Sequence, residues 1–177
     1  GGAGTSTNMN ANEVIANRAL EILGYQKGDY AKLHPINDVN MSQSTNDVYP
    51  TSLRLATCLA IPTLLTAMHS LSDAFAKKAE EFKDILKIGR TQLQDAVPMT
   101  LGQEFSTYAV MIREDEERLK EAISLIAEIN LGATAIGTGI NTDVNYAKLA
   151  IAHLRKISGV NVVISPNLIE ATQDCGA

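Results

Sequence analysis

Between Leu55 and Leu71 the chain carries no Asp, Glu, Lys or Arg, so a helix drawn through this stretch has no charged face. The stretch lies inside a longer helical pattern, from about Asp47 to Asp84. Within it Leu53, Ala60, Leu64, Met68, Leu71, Phe75, Ala79 and Phe82 recur at steps of three, four and seven. Pro62 falls within the pattern and predicts a kink rather than an end. A helix that is apolar all round is buried all round. At 1.5 Å per residue this one spans about 55 Å, longer than a compact domain of this size. Its neighbours are therefore expected to be other subunits. A membrane span is the alternative, and it is opposed by Pro62, Thr57, Thr63, Thr66, His69 and Ser70 and by the charges crowding the C-terminal flank.

Helical periodicity also dominates elsewhere. From about Met9 to Leu23, the residues Ile15, Ala19, Ile22 and Leu23 form a stripe that Gly24 stops. Residues 25–44 are polar, punctuated by Gly, Pro, Asn and Asp, and read as loop. Residues 85–100 are extended in character, as two small strands or an irregular excursion. Thr100 and Gln103 have the spacing of a capping box and open a helix over about Leu101 to Ile129. Phe105, Ile112, Leu119, Ile123 and Ile126 make its buried stripe, while "REDEERLKE" reads as a solvated face. After the Gly/Thr-rich "NLGATAIGTGINT", Thr142 or Asp143 starts a fourth helix that ends at Gly159. Ser165 caps a short fifth helix with Pro166 at its first position. The class is mainly α, an elongated helical bundle with short extended segments.

Composition narrows the function. The chain has 177 residues, 45% hydrophobic and 20% charged, as an ordinary globular domain does. A net charge of -5 argues against a nucleic-acid partner or an anionic membrane surface. Cys58 and Cys175 have neither metal spacing nor a convincing disulfide partner, which suits a reduced, cytoplasmic setting. The first apolar run lacks the basic flank of a signal peptide. With no initiator Met and an end on "DCGA", the sequence reads as an internal segment of a longer protein. His34, His69 and His153 give no metal-ligand spacing, so neither metal nor cofactor is expected. His69 is expected to be packed, His34 to sit in a loop and His153 at the surface. Met9, Met41, Met99 and Met111 read as packing residues.

The candidate chemistry starts at "SQSTNDVYPTS", residues 42–52. Ser44, Thr45, Asn46 and Asp47 are all good N-caps where one suffices. A helix N-terminus offers unpaired N–H groups and partial positive charge, so added hydroxyls and an amide there could hold a small carboxylate. Similar stretches recur. "GAGTSTNMNANE" supplies Thr5, Ser6, Thr7 and Asn8; "GRTQLQD" supplies Arg90, Thr91, Gln92 and Gln94; "GATAIGTGIN" supplies Thr134, Thr138 and Asn141. Any one alone could be an over-provided cap, but four such loops exceed what packing asks for. Arg90 reads equally as a substrate cation or as an ion pair pinning its loop.

"GAGTSTNMNANEV", "QSTNDVYPTS", "GRTQLQDAVPMTLGQEF" and "GATAIGTGIN" together resemble the aspartase/fumarase superfamily across essentially the whole chain, and its aspartase branch most closely. The resemblance implies a central helical domain, residues 1–177, without the N-terminal domain and the C-terminal part. It also implies a homotetramer in which active sites draw on loops of three subunits. The implied reaction is the reversible deamination of L-aspartate to fumarate through an aci-carboxylate. Thr5, Ser44 and Thr45 match residues holding the β-carboxylate, as an oxyanion-type site would. Asn46, Thr91 and Gln92 match positions around the α-carbon substituent. Thr91 and Gln92 form the candidate catalytic pair, and Asn141 completes the candidate substrate-binding set. Asp47 is left with the helix cap, a structural role worth about 1 kcal/mol. The superfamily's base is a Ser in a "GSS" loop followed by a Lys and an Asn, and no such motif occurs among these residues. The segment alone is therefore expected to be inactive. "HPINDVN" departs from the "HPNDxVN" that lines a secondary anion site in many fumarases, which puts that site in doubt. A fumarase and a non-catalytic helical assembly module remain the rivals.

Overall fold

The structure, a computed structural model, describes residues 2–174, so Cys175 lies outside the described residues. The chain forms two compact units, Gly1–Cys58 with Ile126–Ala177, and Leu59–Leu125. Helix α2 (Thr45–Glu81) begins in the first unit and continues in the second. It runs without interruption through Pro62, in keeping with the expectation that Pro62 does not end it.

The first unit opens with α1 (Thr5–Ile22), which follows Gly4 in the left-handed region at φ 87°. A Cβ at Gly4 would lie 2.5 Å from the Tyr49 ring, so only glycine lets the chain enter the helix here. The buried face of α1 is Asn8, Asn12, Ala16 and Leu20. This corrects the stripe expected from apolar periodicity, because Ile15, Ile22 and Leu23 are 53%, 70% and 60% exposed. The helix turns a half-polar face inward, and a search for apolar positions alone selects a different side.

Beyond α1, Pro35–Val39 forms a π-helical turn that His34 caps by accepting from the N–H groups of Ile36 and Asn37. Strand β3 (Glu128–Ile129) pairs in parallel with β4 (Val163–Ile164), an association with no signal in such short segments. Between them α4 (Tyr146–Ser158) starts three or four residues later than expected, because Asp143 accepts the Asn145 N–H in a turn before the helix. Gly159 ends α4 in the left-handed region at φ 72°. Ile129, Leu131, Ile151 and Val162 make the core, joined by Leu55, Ala150, Leu154 and Val160. The last helix, α5 (Leu168–Gln173), is capped by Asn167 rather than Ser165; Ser165 accepts the Asn167 N–H in the preceding turn.

The second unit holds the rest of α2, the antiparallel hairpin of β1 (Leu86–Thr91) and β2 (Gln94–Thr100), and α3 (Leu101–Ile126). The capping box forms as expected: Gln103 N–H donates to Thr100 Oγ1 at 3.1 Å, and Thr100 N–H donates to Gln103 Oε1 at 2.9 Å. Phe75 and Phe82 of α2 meet Phe105 of α3 edge-on, with Tyr108 completing the cluster. Buried Ser72 donates to the Ala109 carbonyl and accepts from Arg113 Nε. Two expectations are corrected. Glu116, in the run read as solvated, is buried, whereas the His69 side chain is 66% exposed between Asp73 and Glu116. Met41 and Met111, read as packing, are exposed in the single chain. The expected stripe of α2 is half-buried at Met68, Phe75, Ala79 and Phe82. Leu53, Leu64 and Leu71 are exposed in the single chain, and α2 is long and apolar enough to cross a membrane by length and composition.

Candidate active site

The start of α2 faces the Gly/Thr-rich loop after β3, and between them lies an open groove of about 470 Å³. Asn40, Ser42, Ser44, Thr45, Thr134 and Asn141 supply its polar lining, with Met9 and Ile140 beside them. Ser42, Thr134 and Asn141 all have left-handed backbone, at φ 63°, 59° and 63°. Three non-glycine residues in that region around one groove mark stored strain, which collects where loops are shaped for a ligand.

Ser44 stands immediately before the first helical residue, and its Oγ accepts the Asn46 N–H at 3.2 Å. Asp47 Oδ1 reaches back to accept the Ser44 N–H at 2.9 Å. Ser44 is therefore the cap and Asp47 its reciprocal partner, which corrects the assignment of the cap to Asp47. The other carboxylate oxygen of Asp47 accepts from Gly132 N–H at 3.1 Å and Thr134 N–H at 2.9 Å. One fully buried side chain thus ties the α2 start to a loop more than eighty residues away. Burial pushes its carboxyl above the ordinary value, outweighing the backbone N–H groups that lower it. Burial, with a smaller effect from the Asp47 charge, raises the nearby Tyr146 hydroxyl too.

Because Asp47 faces inward with its oxygens occupied, the groove is left with neutral donors. Ser44 and Thr45 each accept one hydrogen bond, from Asn46 N–H and from Asn8 Nδ2, and each keeps its own O–H proton to donate. Asn46 donates one amide hydrogen to the Ala135 carbonyl at 2.7 Å and keeps the second. Its own carbonyl accepts from buried Asn130. The Thr134 hydroxyl, by contrast, donates to the Ala133 carbonyl and is used within its loop. Among the described residues no Lys, Arg or His lines the groove. Ser44, Thr45 and Asn141 are therefore brought together on the groove, at the positive end of the α2 dipole, and Asn46 stands beside them, tied to Ala135. Thr5 opens α1, one turn before groove-lining Met9, and is exposed.

Thr91 and Gln92 lie in the second unit, at the tip of the β1–β2 hairpin. Gln92 and Leu93 form its two-residue turn, both left-handed at φ 48° and 66°, where Asn-Gly would be the easy choice. Leu93 is fully exposed. Arg90 pairs with Asp95 across the hairpin at 3.2 Å, which favours the loop-pinning reading. In "HPINDVN", His34 Nδ1 caps the π-helical turn and Asp38 accepts the His34 N–H, so this run satisfies itself internally. Sequence reasoning missed Asn12, Asn40 and Asn130, buried or half-buried amides whose only signal was their density near the polar loops. Among the described residues no group of three or more His, Cys, Asp or Glu is placed to hold a metal ion.

The solved structure of a fumarate lyase:delta crystallin from Brucella melitensis, bound to cobalt, superposes with a TM-score of 0.93 at 60% identity, covering 99% of this chain and 38% of that one. A class II fumarase from Schistosoma mansoni superposes at 0.85 with 32% identity, covering 96% and 39%. Residues 1–177 match the family described as Lyase, and the chain belongs to that family, the aspartase/fumarase superfamily of the sequence motifs. Aspartate ammonia-lyase from Pseudomonas canavaninivorans is 62% identical over the whole chain, and that from Escherichia coli K12 is 53% identical. The chain spans about 38% of the length of the first of these relatives and 37% of the second.

Replacing Asp47 by Ala leaves three N–H groups, two of them buried, without an acceptor, so it is expected to lower the unfolding free energy by about 3 kcal/mol, against about 1 for a simple cap. Denaturant melts measure this; a loss near 1 kcal/mol would mean those N–H groups find other partners. The sign with pH follows from the raised carboxyl. The folded state holds this proton more tightly than the unfolded chain, so the associated stability is complete below the ordinary Asp value and is lost as pH rises through the raised one. Asp47→Asn lacks this component, and its deficit relative to the unmutated protein is expected to narrow over that rise.

Proposed function

We propose that the whole protein is an aspartate ammonia-lyase, deaminating L-aspartate reversibly to fumarate and ammonia. A base takes the β-proton, and the C–H electrons move into the β-carboxylate to give an aci-carboxylate. That charge collapses to form the double bond, and the α-ammonium departs with the C–N electrons as neutral ammonia. Donors aimed at the carboxylate are worth most when it carries the extra charge. Ser44 and Thr45 fit this role, with Thr5 and Asn141 completing the dicarboxylate site and Asn46 beside the leaving group; Thr91 and Gln92 take a leaving-group role by the resemblance alone, in active sites shared between subunits. The "GSS"-type base loop and principal cation belong to segments outside these 177 residues.

The observation that carries the choice of leaving group is Gln92. Hydroxide is a poor leaving group and needs a proton from a titratable side chain, most often His near neutral pH. Gln accepts a hydrogen bond from an ammonium but relays no proton. The relatives named aspartate ammonia-lyase, at 53% to 62% identity against 32% for the fumarase, support the same choice. Following fumarate absorbance, L-aspartate is expected to be turned over well above L-malate. Malate turnover matching or exceeding it would favour the fumarase reading, and no turnover of either would favour the non-catalytic assembly module.

The assembly proposed is a cytoplasmic homotetramer with active sites shared between subunits. Leu53, Leu59, Leu64 and Leu71 leave α2 with an apolar surface that a soluble monomer rarely carries. Light scattering at micromolar concentration is expected to give an oligomer; a stable monomer would overturn the proposal.

A further inference from the structure

Thr45 offers its hydroxyl to the groove, and which way that proton points is decided behind it. Asn40 Nδ2 donates to the Gln43 carbonyl at 3.2 Å, which turns Asn40 Oδ1 toward α1. That oxygen accepts from Asn12 Nδ2 at 3.0 Å and Asn8 Nδ2 at 3.3 Å. The second Nδ2 hydrogen of Asn8 goes to Thr45 Oγ1 at 3.0 Å. Asn8 and Asn12 are only 7% and 5% exposed, so water does not compete freely for these bonds. A flipped Asn8 amide would set its oxygen against Asn40 Oδ1, two acceptors with no proton between them. The direction of the whole relay is therefore fixed by one backbone carbonyl, that of Gln43. Thr45 Oγ1 is held as an acceptor on its inner side, and its proton is left to face the groove.

We infer that Asn8 is a positioning residue for carboxylate binding and acts through Thr45. This rests on the reading of the groove as a dicarboxylate site. Asn8 does not touch the ligand; it removes the competing orientation of a hydroxyl that does. Asn8 and Asn12 of "NMNAN", four residues apart on the buried face of α1, are thus absorbed into function rather than packing, since a buried face made only to pack would be apolar.

A double-mutant cycle in the full-length protein tests it, with succinate as the probe because it carries no leaving group and reports binding without turnover. Losing one buried donor is expected to weaken succinate binding, read by calorimetry, about tenfold in Asn8→Ala. The kcat/KM for L-aspartate is expected to fall in step. Thr45→Val falls at least as far, and the double variant no further than Thr45→Val, because Asn8 then has nothing to orient. Asn8→Leu fills the space Ala leaves and is expected to behave as Asn8→Ala does. Losses that multiply in the double variant, or a folded Asn8→Leu that binds succinate normally, would overturn the inference. An unmutated protein that binds no succinate would overturn the dicarboxylate reading itself, and the inference with it.

Discussion

The carboxylate of Asp47 accepts hydrogen bonds from three backbone N–H groups that belong to two distant loops, and the groove exists because of it. Neither loop has secondary structure of its own to hold it. One ends in a helix cap and the other turns through left-handed residues, including Thr134 and Gly132, whose N–H groups must find an acceptor. Burying a carboxylate is costly, and the raised carboxyl of Asp47 records that cost. The three bonds offset part of it, and only in the folded geometry, so loops and carboxylate specify one another.

An inward carboxylate beneath the groove proposed to take an anion has an electrostatic consequence. Every N–H that Asp47 takes is one that cannot reach a ligand, and its charge opposes a second anion nearby. The groove compensates with neutral hydroxyls and the α2 dipole, and among the described residues no cation lines it. Such donors suit a substrate whose charge grows during reaction, because they stabilise the developing charge without binding the ground state too tightly. The amides behind the groove extend the same logic inward, since a hydroxyl that accepts on its inner side presents its proton to the groove.

The helices were legible in the sequence wherever an apolar period or a paired cap defined them. The long α2 pattern, the Thr100–Gln103 box and the Gly159 stop each follow from local chemistry. The buried side of α1 was not, because Asn8 and Asn12 occupy positions where the period counts only apolar residues. The β3–β4 pairing was hidden for another reason: two-residue strands acquire meaning from a partner more than thirty residues away. The polar loops stood out by their composition, and two of them bring Ser44, Thr45 and Asn141 to one groove. The double role of Asp47 could not be read, because four adjacent cap residues are locally equivalent and only the distant Gly132–Thr134 backbone singles out one.

The central claim is that the Ser44 hydroxyl serves substrate as well as the helix. The most direct measurement is kcat/KM for L-aspartate in the full-length Ser44→Ala variant, with its melting temperature recorded alongside. Loss of an oxyanion-type donor costs roughly 3 kcal/mol, so a fall of about a hundredfold or more is expected, with the drop in stability no larger than a lost cap allows. A variant that melts much earlier yet keeps its full rate per folded enzyme would contradict the account.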